Sequence, residues 1–167
     1  MKLHANDMCI QLGRYIGRET DLVFVEPDSS DKGSVYAGPL PAKRHRLSPA
    51  VSIVHQPTGD DDHLSRSQQM QIVLHAQGHS NSEVMGLLGQ IQHLLFPQGR
   101  YEVKAEGGFM PGVIGVTSES GTHYVWRLLD LRILSFPQTS PRSPGGQAVA
   151  ELAIEAHAVQ YTATVEE

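Results

Sequence analysis

The sequence predicts an α+β fold: a mostly antiparallel β-sheet with an N-terminal helix and one amphipathic helix packed on the sheet. Three observations carry that expectation. Over 69–76, Met70, Ile72, Leu74 and Ala76 fall on one face while Gln69, Gln71 and His75 fall on the other, the two-residue period of a strand with one dry face. Directly after it, Ser80 and Glu83 have the spacing in which a hydroxyl and a carboxylate satisfy the free amides of a first helical turn; Val84, Leu87, Leu88, Ile91, Leu94 and Leu95 then repeat at helical steps. Finally, the chain ends in two long β-rich stretches, 123–134 and 148–165.

Taken in order, the first element is a short helix over 6–17, with Met8, Leu12, Tyr15 and Ile16 on one face, Asn6 or Asp7 as cap and Gly17 as terminator. Leu22, Val23, Phe24 and Val25 form a compact β-type run that stops at Pro27 and its Asx and Ser neighbours. Residues 27–49 then read as a long loop, rich in Gly, Pro, Ser and charge. A strand follows over 51–55, closed by Pro57 and Gly59, and Asp60, Asp61 and Asp62 mark a loop tip. After the amphipathic strand and the capped helix, Phe96, Pro97, Gln98 and Gly99 halt the helix, Tyr101 to Ala105 alternate as a strand, and Val113 to Val116 form a short twisted segment behind Gly107 and Gly108.

In the stretch 123–134, Val125, Leu129, Leu131 and Ile133 point one way, and Tyr124, Trp126, Asp130 and Arg132 the other, with Arg127 the exception on the inner face. Three prolines and two glycines in 135–147 predict an extended arm in place of a packed element. The last stretch is rich in Ala and permits a helix, yet Leu152, Ile154, Ala156 and Ala158 alternate into Tyr161, Thr162 and Thr164, and a strand is the expectation.

Composition narrows the function classes. A chain of 167 residues with 40% hydrophobic and 19% charged residues suits one domain with one core. A net charge of −5 with dispersed signs lacks the positive field that a nucleic-acid-coating surface needs. No apolar run approaches the roughly 18 residues of a membrane-spanning helix, and the first residues hold no apolar secretory segment, so the chain is expected to stay where it is made. The single cysteine, Cys9, sits on an amphipathic helix and reads as a packed thiol.

Motif by motif, the chemistry of enzymes is missing from the pattern. His75 and His79 have a helical metal-ligand spacing, but they straddle the end of a strand, where that spacing aligns nothing. Three consecutive aspartates at 60–62 point in different directions, unlike the alternating carboxylates of a calcium loop. Neither a nucleophile elbow nor a phosphate-cradling glycine loop occurs. The expectation is therefore no catalytic residues, no metal and no cofactor. Lys43, Arg44 and Arg46, the acidic run Asp60, Asp61 and Asp62, and the outward Trp126 remain as interface candidates, because exposed charge runs and a large aromatic on a wet face mark contacts between chains.

The order of elements resembles that of the tail terminator (tail completion) and related minor capsid proteins of tailed bacteriophages. The resemblance covers roughly 6–134. It rests most on Pro49 to Ile53, then Gln71 to Gly78, then Asn81 to Leu95 as the helix, and Tyr124 to Ile133 as return strands; the arm at 135–147 and the final stretch depart from it. It implies a single tail-terminator-like domain over 1–167 and a structural virion protein that forms a hexameric ring, caps the tail tube and joins it to the neck or head. The partners implied are other copies of the chain, the tail tube and head-completion proteins, with no membrane and no specific nucleic acid. The implied location is the virion, and the host cytoplasm during assembly. Two competing readings are a head-tail stopper or other neck protein, which would favour a small β-barrel, and a small metal-dependent enzyme or ligand-binding domain using His75, His79, His123 and the aspartates at 60–62.

Overall fold

The computed structural model describes residues 5–27, 29, 32–40, 49–56, 67–104, 113–119, 122–139 and 147–164. Its elements are helix α1 (Ala5–Glu19), strands β1 (Phe24–Val25), β2 (Val35–Ala37), β3 (Ala50–Gln56) and β4 (Ser67–Gly78), helix α2 (Asn81–Leu95), and strands β5 (Glu102–Lys104), β6 (Val113–Glu119), β7 (Thr122–Thr139) and β8 (Ala148–Thr164). All eight strands join one sheet in the order β1-β2-β3-β4-β8-β7-β5, with β6 paired to β7 beside β5. The pairs β1–β2 and β2–β3 are parallel, and every other pair is antiparallel. The fold is α+β, as the patterning predicts.

One face of this sheet is dry. Met70, Ile72, Leu74 and Ala76 of β4 lie in register with Ala156, Ile154, Leu152 and Ala150 of β8, and all eight are buried. Ile53 and Val51 of β3 continue the rows opposite Leu74 and Ala76. Helix α2 covers the middle of that face with Val84, Leu88, Ile91 and Leu95, resting on β4, β8 and β7. Helix α1 adds Met8, Cys9, Leu12, Tyr15 and Ile16 and touches α2, so both helices feed one continuous core. The alanines of β8 let α2 lie close to the sheet, since small residues opposite large ones fill space without voids. Among the described residues, a small second cluster of Val25, Tyr36 and Ala50, with Leu40 against it, lies on the other face at the β1 end.

Helix α2 begins as its spacing predicts: Ser80 Oγ accepts from Glu83 N–H at 3.2 Å. The Glu83 carboxylate reaches one residue beyond the cap and accepts from His79 N–H at 2.8 Å. That carboxylate occupies the space of a side chain at Gly78, whose Cβ would stand 2.4 Å from Glu83 Oε1. Helix α1 does not stop at Gly17. It runs to Glu19 and is closed by Thr20, whose backbone N–H and hydroxyl both donate to Ile16 C=O, at 3.0 and 2.6 Å. The glycines of α1 serve close approach: a Cβ on Gly13 would meet the Phe24 ring at 2.3 Å, and one on Gly17 would meet Phe24 Cβ at 2.9 Å.

Two further differences from the sequence reading, the side of Leu129 and the start of the arm, have one physical origin, which is that long strands bulge as they twist. Leu128 pairs with Ala158 and Asp130 with His157, so Leu129 is an extra residue; Leu128 and Leu131 are buried, and Leu129 is only partly so. A second shift makes Leu134 the extra residue, and it is 40% exposed. A third absorbs Phe136 and Pro137 between Ser135 and Gln138, so β7 extends to Thr139 and the first part of the expected arm at 135–147 belongs to the sheet. The side chain of Arg127 lies outside the described residues. Strand β2 similarly places Val35 to Ala37 of the expected 27–49 loop inside the sheet.

Two stability measurements follow. Gly13→Ala is expected to cost about 1–3 kcal/mol through overpacking against Phe24, whereas Gly86→Ala and Gly89→Ala, with nothing within 4 Å of the new methyl, should each add about 0.5–1 kcal/mol of helix stability in denaturant titrations. Leu128→Ala should cost about 2–5 kcal/mol and Leu129→Ala clearly less; the opposite order would place the bulge elsewhere.

Candidate assembly surface

The face of the sheet turned away from the helices carries side chains in transverse rows. Cross-strand partners stand about 5 Å apart, close enough for each row to act as a unit. One row runs Ser52, His75, Glu151, Gln138 and another runs Gln56, Gln71, Glu155, Arg132, Glu102. Between them lies a less polar row of Val54, Val73, Ala153 and Ser135. A further row joins Gln69, His157 and Asp130.

The charges on these rows pair across strands. Arg132 donates to Glu155 at 2.6 Å, His75 Nδ1 lies 3.1 Å from Glu151, and His157 Nδ1 lies 3.4 Å from Asp130. At the end of β8, Gln147 donates its amide to Gln77 at 2.6 Å. Such exposed pairs contribute little to stability, on the order of 0–1 kcal/mol each. Their effect is to set which side chains meet across neighbouring strands of this face. Among the described side chains of β5, β7 and β8 on this face, the formally charged ones are Glu102, Asp130, Arg132, Glu151 and Glu155.

A second exposed feature lies at the β5 end of the sheet. Tyr101 is 66% exposed and Phe136 48%, and their rings meet edge to face with centroids 5.8 Å apart. Tyr101 C=O accepts from Ile133 N–H at 2.9 Å, which fixes the pair beside Leu134. Sequence reasoning missed this patch. The parity of Tyr101 with Val103 would place it inward, yet Tyr101 is exposed while Val103 is buried.

The sequence-derived interface residues are mostly untouched by this geometry. Lys43, Arg44, Arg46, Asp60, Asp61 and Asp62 lie outside the described residues. Trp126 sits in β7 opposite Gln160 of β8 and Gly115 of β6; its side chain lies outside the described residues. Among the histidines, His75 bonds Glu151, His79 is exposed at the entrance of α2, and the side chain of His123 lies outside the description. Among the described residues no three His, Cys, Asp or Glu side chains gather as metal ligands, and no helix is long and apolar enough to cross a membrane.

At the other end of the sheet, Arg14 grips Glu26 through two hydrogen bonds of 2.8 and 2.9 Å, which raises the guanidinium pKa and lowers that of the carboxylate. The Cys9 thiol is the strongly perturbed group: burial pushes it up to about 11, and a backbone hydrogen bond from His55 opposes this only in part. It is a packed, protonated thiol at neutral pH.

Comparison with protein-family models and with curated proteins returned no match. The surface is therefore read from its own geometry: an ordered polar face, an aromatic patch at one end, and a core closed on the side of the helices.

The raised thiol pKa sets a pH dependence. The folded state holds the Cys9 proton more tightly than the unfolded state, whose thiol titrates near 9. The associated stability is fully present below pH 9 and is lost as pH rises towards 11. Two pH units at about 1.4 kcal/mol each give an upper expectation of roughly 3 kcal/mol. Chemical denaturation at pH 8 and pH 10.5 should show a steeper loss for the wild type than for Cys9→Val; equal slopes would show that the thiol is not buried as described.

Proposed function

We propose that this protein is a structural virion protein of the tail terminator type, acting as a ring that caps the tail tube and joins it to the head or neck. What supports the reading is a sheet whose two helices both lie on one face, with most of the polar rows of the other face and the Tyr101–Phe136 pair at the β5 end at least partly exposed among the described residues. A heterologous ring needs this: different patches on each subunit that become buried when the ring closes. The element order through β7 supports the resemblance, and the role calls for shape and not for reactive side chains.

Helix α2 weighs against the stopper reading, which favours a small β-barrel. Its apolar stripe of Val84, Leu88, Ile91 and Leu95 is spent on the sheet, so the helix is integral to the core. Of the residues that the metal-dependent reading names, His123 and the aspartates at 60–62 have side chains outside the described residues, and His75 bonds Glu151.

The test is the length of tails made in the presence and absence of this protein, measured in negative-stain images. Tails of uncontrolled length without it, restored to one length by the intact chain, are the expected result. Tails of normal length and normal joining in its absence would refute the role.

A further inference from the structure

We draw no further inference here: the strongest candidate, the exposed surface patch of Tyr101, Leu134 and Phe136 at the β5 end of the sheet, carries none, because exposed Glu102 stands beside exposed Arg100 and nothing in the structure shows what covers the patch.

Discussion

The structure depends on the pairing of β8 between β4 and β7. That strand sends Ala148, Ala150, Leu152, Ile154, Ala156 and Ala158 to one side, and each meets a buried or core-facing partner in register. Because the strand period is two, a slip of one residue would turn all six out to solvent and bring Glu151, Glu155 and His157 into the core. The cost of burying unpaired charge excludes that register. Strand β8 thereby orients the whole sheet: dry towards α1 and α2, wet on the opposite face.

From that one-sidedness the rest follows. The helices cover one face, and strand register sets the order of the polar rows on the other. The bulges in β7 let an 18-residue strand follow the twist of a 17-residue partner. They also push Leu134 and Phe136 to the surface at the β5 end. The same irregularity that relieves twist creates the exposed apolar patch, which links a local backbone event to the surface proposed for assembly.

Much of this was legible in the residues. The alternation of β4, the Ser80 and Glu83 cap and the apolar stripe of α2 announce themselves locally, because each rests on spacing within one element, whereas the Ala-rich final stretch permits helix or strand and its pairing with β4 and β7 decides for the strand. The position of Leu129 does not, since a bulge is fixed by the partner strand; simple alternation places it inside, where Leu128 stands instead. The parallel pairing of β1, β2 and β3 is likewise a long-range outcome, and Val35 to Ala37 are too short a run to stand out from a loop. The candidate surface was less legible. Charge runs draw attention to 43–46 and 60–62, outside the described residues, whereas the patch of Tyr101 and Phe136 joins residues 35 positions apart that only the β5–β7 pairing brings together.

The central claim is that burial between copies supplies this protein's activity. Its most direct test is the number and arrangement of chains bound to isolated tail tubes, counted by native mass measurement and electron microscopy. The account expects six copies closed into a ring at one end of each tube. A chain that remains a lone globule in the presence of tubes, or that binds as single scattered copies, would contradict it.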